Sequence, residues 1–358
     1  MVTVNRSELE RKLSVITSAL SSNSSFPLLG YNAKGRLMFW QDSYMPIWDG
    51  LDSEGDDQFS FSVDPSVFRT IVNGFKTSEV DLNVNSKNAV IVKSGKSKVT
   101  VPYVDGPFDE IPEAPVVESS CKVGRDFLRS LAKSKDFVSK TYEQMSTTCS
   151  YIGDKDGQFF IAGAGPLYQY TNMVPYEGSA FPEAVIPPEY ASIVPRLFSN
   201  ESVQIGLSER GHLVMSDGPT IIYTRTVNEK YPPNFYELVK LDGDILFTAN
   251  RRRLLESLRL AAQTTKEDMV GIGSVNGELD LYIPNAIIEA DLVIDEVKVV
   301  KDFSRTYFLL SFLIKCIATF ESEMITIEYL PQCNGAFKIG NTDEKETTIL
   351  QPIRYQEP

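Results

Sequence analysis

The sequence predicts an α+β fold built from three similar domains. Three stretches share one pattern, in which a helix with spaced apolar residues is followed by a short polar break and an alternating strand. They are DPSVFRTIVNGFKTSEVDLNV (64–84), PPEYASIVPRLFSNESVQIGL (187–207) and FSRTYFLLSFLIKCIATFESEMITIEY (303–329). Equivalent strand positions fall at Leu82, Ile205 and Ile327, at intervals of 123 and 122 residues. Two nearly equal intervals indicate a repeat.

Each repeat extends beyond this shared core. After the strand, the first two repeats continue with alternating segments that turn at Ser94-Gly95 and at Asp217-Gly218, which is typical of hairpins. Each repeat also opens with a helix of its own. The three openings are SELERKLSVITSAL (7–20), GRDFLRSLAKSKDFVSK (124–140) and NRRRLLESLRLAAQTT (250–265). We therefore predict two helices and several strands per domain, with domains at 1–117, 118–241 and 242–358.

Composition indicates a soluble protein of a reducing compartment. The chain has 358 residues and a net charge of −13. Its start lacks an apolar signal region, and its longest apolar run, at 306–320, is interrupted by Lys315 and predicts a core helix rather than a membrane span. The four cysteines show no CxxC spacing. We expect a cytoplasmic protein.

No pattern of catalytic residues stands out. The one histidine, His212, has no partner at ligand or triad spacing, and neither GxSxG nor a phosphate-binding loop occurs. The acidic runs DSEGDD (52–57) and TDEKE (342–346) lie between strand-like segments and read as solvated loops. We expect neither an enzyme nor a cofactor or metal site.

Positive charge, by contrast, gathers on helix faces. At 100° per residue, four basic residues of the second repeat, Lys122 to Lys133, share one quadrant of its first helix, opposite Phe127 and Leu131. A charged surface helix is the plain alternative, but recurrence in an acidic chain favours a phosphate-facing surface. The predicted DNA-facing residues are Arg11, Lys12, Arg69, Lys76, Lys122, Arg125, Arg129, Lys133, Arg196, Arg252, Arg259 and Arg305.

The chain resembles the bacterial-type DNA polymerase sliding clamp, the β subunit of the replicative polymerase, with a divergent phage member as an open possibility. The resemblance is carried by the three repeats, by VIVKSGKSKVTVPYVDGPFDEIPE, by VQIGLSERGHLVMSDGPTIIYTRTVNEKYPP and by the terminal ILQPIRY. It covers essentially the whole chain. It implies a homodimeric ring of three-domain subunits joined head to tail. Such a ring encircles duplex DNA without reading its sequence, and it tethers the polymerase.

The resemblance also implies a pocket for short linear peptides of polymerase and clamp loader. Transferred by motif, its residues are Ile152, Ala162, Gly165, Pro166, Tyr168, Pro232, Tyr236, Glu237, Ile349, Pro352, Ile353 and Arg354. The family's Thr-Asp-Gly-His-Arg-Leu motif corresponds here to AGAGPL or AGPLY, so the alignment over 160–170 can be placed in more than one register.

A subunit interface is implied as well. Its residues transfer to Val99 and Val101 on a strand of the first domain, and to Gln263 and Thr264 on a helix of the third. The last two are polar where the family has an apolar pair, which leaves open whether the ring is less tightly closed or other contacts compensate.

Two rival classes of protein remain. One is a β-rich structural protein of phage type, and the other is a degenerate enzyme with scattered carboxylates.

Overall fold

The computed structural model describes the chain apart from residues 20–27, 34, 42–46, 56–57, 86, 105–119, 142–144, 180, 182, 199, 233, 285–293, 295, 342–344 and 356–358. The predicted boundary between the first two domains, and the word GPFDEIPE, lie outside the described residues.

Twenty-four strands and seven α-helices follow one another along the described chain. The first block is β1 (Val2–Asn5), α1 (Arg6–Ala19), β2 (Leu28–Ala33), β3 (Arg36–Gln41), β4 (Ile47–Asp52), β5 (Phe59–Val63), α2 (Pro65–Gly74), β6 (Glu79–Asn85), β7 (Ala89–Ser94) and β8 (Ser97–Pro102). The second is β9 (Ser120–Gly124), α3 (Arg125–Ser134), β10 (Ser150–Lys155), β11 (Gln158–Ala164), β12 (Tyr168–Gly178), β13 (Glu183–Ile186), α4 (Pro188–Leu197), β14 (Ser202–Leu207), β15 (Leu213–Ser216) and β16 (Thr220–Thr224). The third is α5 (Asn234–Val239), β17 (Asp244–Asn250), α6 (Arg251–Thr264), β18 (Val270–Val275), β19 (Glu278–Tyr282), β20 (Val297–Val299), β21 (Thr306–Phe308), α7 (Leu310–Ala318), β22 (Met324–Leu330), β23 (Ala336–Gly340) and β24 (Thr347–Leu350).

The same order of elements occurs three times: one strand, a helix, four strands, a second helix and three strands. Helix α5 is the one addition, and it precedes the third set. Both hairpins form where the sequence predicts them, between β7 and β8 and between β15 and β16. Their turn glycines Gly95 and Gly218 have φ of +60° and +103°, a backbone region that glycine enters at little cost. The α+β class is confirmed.

Packing groups the residues into two compact units. One comprises 1–128 and 176–226, and the other comprises 129–175 and 227–358. The second set of elements contributes to both units. The division into domains at 117 and 241 stays a prediction.

In the first unit, β1, β6, β7 and β8 form a four-stranded antiparallel sheet with β8 at one edge. A second ladder runs in the order β5, β2, β3, β4, β16, β15, β14 and β9. Helices α1 and α2 pack together, and α1 also packs on α4. Helix α2 begins at an Asp64 cap, whose carboxylate accepts the Val67 amide, and Phe68 and Val72 face the core.

In the second unit, a ladder runs in the order β10, β11, β12, β24, β23, β22, β17 and β20. The apolar run at 306–320 forms β21 and α7, whose Leu310, Leu313, Cys316 and Ile317 are buried in one large cluster with α6. The interpretation of this run as a core helix is confirmed for its second half. No helix within the described residues is long and apolar enough to cross a membrane.

Strand pairing also joins successive repeats. The last strand of the second set, β16, pairs antiparallel with β4 of the first, and β24 of the third pairs antiparallel with β12 of the second. We call these two pairings the seams. Because β16 and β24 hold the same place in their repeats, as do β4 and β12, both seams follow one rule. The last strand of a repeat pairs with the fourth strand of the repeat before it.

Burial of the thiols gives a direct test of this core. All four cysteines are free, and burial raises the pKa of Cys121 to about 11 and of Cys316 to about 12. Cys149 is also buried, whereas Cys333 is partly exposed. Because the thiolate is the reacting species, we expect a disulfide reagent at pH 8 to modify one thiol quickly and three only after unfolding. Cys333→Ser should remove the fast phase, and a fast phase that persists in this variant would contradict the packing.

Candidate nucleic-acid and peptide interfaces

An arginine opens the first helix of every repeat, and its guanidinium bonds a backbone carbonyl one to four residues after the end of the second helix. The three bonds join Arg6 Nε to Thr77 O, Arg125 Nη1 to Phe198 O and Arg251 Nε to Ser322 O, each at 2.9 Å. These arginines mark equivalent positions in the three repeats. Arg125, predicted to face DNA, therefore uses one amino group to hold two helices together.

Lys12 does not face solvent, so its assignment to a DNA-facing surface is wrong. It is only 1% exposed, and its ammonium binds the buried carboxylate of Asp49 on β4. Thr220 Oγ1 on β16 donates to the same carboxylate at 2.8 Å. Burial is the main cause that raises the pKa of Asp49, against the opposing effect of Lys12. This ion pair stands at the first seam.

Lys133 occupies a similar place at the second seam, where it is only partly exposed, and its assignment to a DNA-facing surface stays a prediction. Its Nζ lies 2.8 Å from Glu346 Oε1 and 3.7 Å from Glu321. Tyr170 Oη on β12 donates to Glu346 at 2.8 Å. Glu346 is buried, contrary to the solvated loop predicted for its acidic run. Each seam thus holds a carboxylate, a lysine from a first helix and a hydroxyl from the opposing strand.

Three further basic residues are not on helices. Lys122 lies on β9, exposed, and Lys76 follows the end of α2. Arg305 precedes β21, where its guanidinium bonds Asp280 at 2.5 Å and stacks over Tyr282 at 4.5 Å. All three lie outside the helices, because α2 ends at Gly74, α3 begins at Arg125 and α7 begins at Leu310.

The remaining arginines of the first unit do converge. Arg11 on α1, Arg69 on α2 and Arg196 on α4 line one open cleft of about 420 Å³. The complete lining is Ser7, Glu10, Arg11, Ser14, Val15, Arg69 and Arg196. Sequence analysis predicted all three arginines, and the structure brings them together from three helices of two repeats.

The cleft is positive. The one carboxylate among its described lining residues, Glu10, pairs with Arg6 at 2.8 Å. Arg69 donates to Thr17 Oγ1 at 2.9 Å, which orients its guanidinium without neutralising it. Three guanidinium groups in a groove are suited to phosphate oxygens, which accept hydrogen bonds without regard to base sequence.

In the second unit, α6 presents a similar face. Arg252 and Arg259 are exposed and form no ion pair among the described residues, while Arg253 pairs with Glu256 at 3.2 Å. Asn250 caps the helix through Oδ1, which accepts from the amides of Arg252 and Arg253. Arg129 on α3 is exposed too, 3.6 Å from Glu321.

The residues predicted for a peptide pocket divide between two faces of a sheet. Tyr168 pairs with Leu350, and Gln169 pairs with Ile349. Because side chains alternate along a strand, Tyr168 and Leu350 share one face and Gln169 and Ile349 the other. Tyr168 packs on Phe312 of α7, with ring centroids 4.4 Å apart, so it belongs to the helix-side core.

Ile152 lies on the same helix-side face as Tyr168. It pairs with Ile161, which pairs with Asn172, and the side chain of Asn172 reaches Ser130 on α3 at 2.8 Å. Ile152 is fully buried on that helix-side face. The assignments of Ile152 and Tyr168 to a peptide pocket stay a prediction, with both side chains buried in the helix-side core.

Helix α5 covers the opposite face, where Ala162 and Ile349 are buried. The ring of Tyr236 packs edge-on to that of Phe160, with centroids 5.0 Å apart, and its hydroxyl donates to Asp156. The ammonium of Lys240 lies 4.0 Å from the centroid of the same ring. Glu237 is exposed on the same helix, and Pro232 before it is half-buried.

The chain end runs beside Leu167 and Tyr307. Gln351 N donates to Leu167 O at 2.7 Å, and Ile353 N donates to Tyr307 O at 2.8 Å. Pro352 and Ile353 are half-buried and Arg354 is exposed. The turn at Gly165 and Pro166, where Gly165 N bonds Tyr168 O at 2.8 Å, brings Leu167 to the chain end. The residues predicted for the pocket did not include Leu167 or Tyr307. The alternative alignments over 160–170 were the one sign in the sequence that pointed to Leu167.

The predicted interface residues differ in exposure. On the edge strand β8, Val101 is buried opposite Val90, and Val99 is half-buried opposite Val92. Both valines face the core of their own sheet, so their apolar character does not require a partner. On α6, Gln263 is exposed, whereas Thr264 is buried and bonds Ala261 O at 2.8 Å. Val101 and Thr264 are therefore wrong as contact side chains.

Comparison with known proteins identifies the fold. No family model matches the chain. It is 19% identical over 376 aligned positions to the beta sliding clamp of Streptococcus pneumoniae strain R6, covering 98% of each protein. Among solved structures it is similar to the DNA polymerase sliding clamps of Pseudomonas aeruginosa (TM-score 0.85, 16% identity) and Bacillus subtilis (TM-score 0.82, 16% identity), each covering 99% of both chains. The resemblance stated from the sequence is confirmed: the chain has the three-domain sliding-clamp fold.

Proposed function

We propose that this protein is a DNA sliding clamp, a non-enzymatic processivity factor that encircles duplex DNA and tethers a replicative polymerase. The observation that carries the proposal is the convergence of Arg11, Arg69 and Arg196 in one cleft of a chain that matches sliding clamps over its whole length. Three like charges gathered from separate helices repel one another, so their juxtaposition costs stability and calls for an anionic partner.

The two seams support a ring. Two of the three last strands, β16 and β24, pair with the preceding repeat, which leaves β8 as an edge strand in the described sheet. An exposed edge favours pairing with another chain. If the last strand of the first repeat also pairs with a preceding repeat, β8 of one copy would pair with the third repeat of a second copy. Two copies would then close head to tail.

Polymerase and clamp loader would dock through short linear peptides near the chain end. The half-buried side chains of Pro352, Ile353, Leu167 and Pro232 offer apolar surface of the kind such peptides use, and exposed Arg354 offers a polar anchor. The site of action is the cytoplasm of a bacterium or an infected bacterial host. A β-rich structural protein of phage type, the rival class, does not account for three arginines that converge in one cleft.

Topology gives the primary test of this function. Loaded on circular DNA, the protein should remain bound through gel filtration, and it should be lost when one cut linearises the circle, because a ring slides off a free end. Blocking both ends of the linear DNA with bound protein should restore retention. Retention that is the same on open linear DNA would mean direct binding and would overturn the proposal.

Truncation tests the docking site. Removing residues 352–358 spares β24, whose Ile349 and Leu350 are buried, so the fold should persist. We expect binding of a polymerase C-terminal peptide, measured by fluorescence anisotropy, to weaken at least tenfold because a few apolar contacts supply most of such affinity. Removing only 356–358 is the matched control and should leave binding intact. Equal affinity of the two truncations would place the pocket elsewhere.

A further inference from the structure

We propose that Arg210, His212 and Arg225 form a binding site for the dianion of a phosphate monoester, on the face of the sheet that is turned away from α1. The three residues meet where the turn before β15 lies beside the end of β16. None of them belongs to the arginine cleft, whose lining comes from helices. The site therefore goes beyond the proposed contact with duplex DNA and does not depend on a ring.

Strand register sets His212 opposite Arg225. Leu213 on β15 pairs with Thr224 on β16, and the next pair in the same antiparallel register is His212 with Arg225. Thr226 Oγ1 donates to the carbonyl of the residue before His212 at 2.8 Å, which keeps the two segments side by side. Residues directly opposite on neighbouring strands have Cβ atoms about 5 Å apart, so both side chains can reach one small ligand.

The face that carries this pair is the one opposite to α1. Thr220 on β16 marks the α1 side, because its hydroxyl donates to the carboxylate that binds Lys12 of that helix. Side chains alternate along a strand, so Tyr223 and Arg225 lie on the other face. The ring of Tyr223 packs edge-on to that of His212 there, with centroids 4.7 Å apart. Both rings are half-buried, so one side of each is open to a ligand.

The charge of this site is positive and uncompensated. Arg210 and Arg225 are exposed and form no ion pair with any described residue, and neither does Glu209, the exposed acidic neighbour in the turn. Burial, and then the charges of Arg225 and Arg210, lower the pKa of His212, so its imidazole is neutral at pH 7. Cationic groups that lie together without a partner repel one another, and a bound anion relieves that repulsion.

The hydrogen-bond donors of the site suit a phosphate group. Nδ1 of His212 is buried without a hydrogen-bond partner among the described residues. A proton on Nδ1 would be a buried N–H without an acceptor, so the neutral ring carries its proton on Nε2 and donates from there. The guanidinium groups of Arg210 and Arg225 add forked N–H donors that match phosphate oxygens. Two arginine charges neutralise a phosphate monoester, which carries nearly two negative charges, whereas a carboxylate carries one.

Nuclear magnetic resonance of the full chain tests the site, because His212 is its one histidine and gives isolated ring signals. Inorganic phosphate should shift these signals saturably, and sodium chloride of equal ionic strength should not. Arg210→Gln and Arg225→Gln should each weaken phosphate binding at least about tenfold, since each removes charge-assisted hydrogen bonds. Lys301→Gln, which removes an exposed charge elsewhere, is the matched control and should bind as the wild type does. Wild-type affinity in both arginine variants would overturn the site.

The titration of His212 gives a second readout. Sulfate remains a dianion between about pH 5 and 8, and a bound dianion favours the charged imidazolium, so saturating sulfate should move the titration midpoint of His212 to higher pH. By linkage, the affinity for sulfate should rise as the pH falls through that midpoint. A midpoint that sulfate leaves unchanged would remove His212 from the site.

Adenosine monophosphate distinguishes a nucleotide from free phosphate as the source of the group. The half-buried ring of Tyr223 offers an aromatic surface on which a base can stack. A nucleotide site should bind adenosine monophosphate more tightly than inorganic phosphate, and Tyr223→Leu should abolish that difference. Equal affinities would assign the site to free phosphate. Ring signals that respond to neither ligand up to about 20 mM would refute the proposal.

Discussion

Lys12→Ala is expected to lower the free energy of unfolding by about 3–5 kcal/mol, the range seen when one partner of a buried ion pair is removed. The substitution leaves the Asp49 carboxylate, 2% exposed, with the Thr220 hydroxyl as its one remaining hydrogen-bond partner among the described residues. Because Asp49 lies on β4 and Thr220 on β16, the loss should concentrate at the first seam. Urea denaturation measures the total, and hydrogen exchange of the β4 and β16 amides locates it.

A double substitution separates the ion pair from simple packing. Lys12→Met with Asp49→Leu replaces both charges by apolar groups of similar size, and we expect it to recover most of the stability lost in Lys12→Ala. Lys12→Ala and the double variant should therefore differ by at least about 2 kcal/mol. Equal losses in the two would show that the cost comes from lost volume and that charge pairing contributes little.

Reversing the three cleft arginines is expected to have the largest effect on DNA binding. Arg11→Glu, Arg69→Glu and Arg196→Glu together should weaken binding to duplex DNA about 100-fold at 50 mM salt, because an arginine that no longer binds a phosphate no longer releases a counterion. The slope of log K against log salt should become shallower by about three. The drop in affinity should be equal for duplexes of unrelated sequence, since phosphate contacts carry no sequence information.

The matched control reverses three exposed lysines outside the cleft, Lys230, Lys266 and Lys301. It changes the net charge by the same amount, so it corrects for the general repulsion of an acidic protein from DNA. The salt slope of this control should stay close to that of the wild-type chain. A control that loses as much affinity and slope as the cleft variant would mean that net charge, and not the cleft, governs binding.

Local sequence patterns determined much of the secondary structure of this protein. The repeat intervals, the two hairpin turns and the starts of α1, α3 and α6 follow from the sequence, because apolar periodicity and turn glycines act within one element. The charge of the helices could also be read, and three predicted arginines, Arg11, Arg69 and Arg196, do share a cleft.

Tertiary structure decided which of those basic side chains are available to bind an anionic partner. A helical wheel places Lys12 beside Arg11, but it contains no information about Asp49, which a strand 37 residues away in sequence brings under the helix. Lys133 is likewise paired with Glu346, 213 residues away. Whether a basic side chain faces DNA or a buried carboxylate depends on the partner that packing delivers.

The same limit applied to the peptide and subunit contacts. The sequence predicted contacts at the chain end and at β8, but strand register put Tyr168 and Ile152 on the core face and Val101 under its own sheet. A shift of one residue exchanges the two faces of a strand, so similarity at 19% identity does not fix orientation.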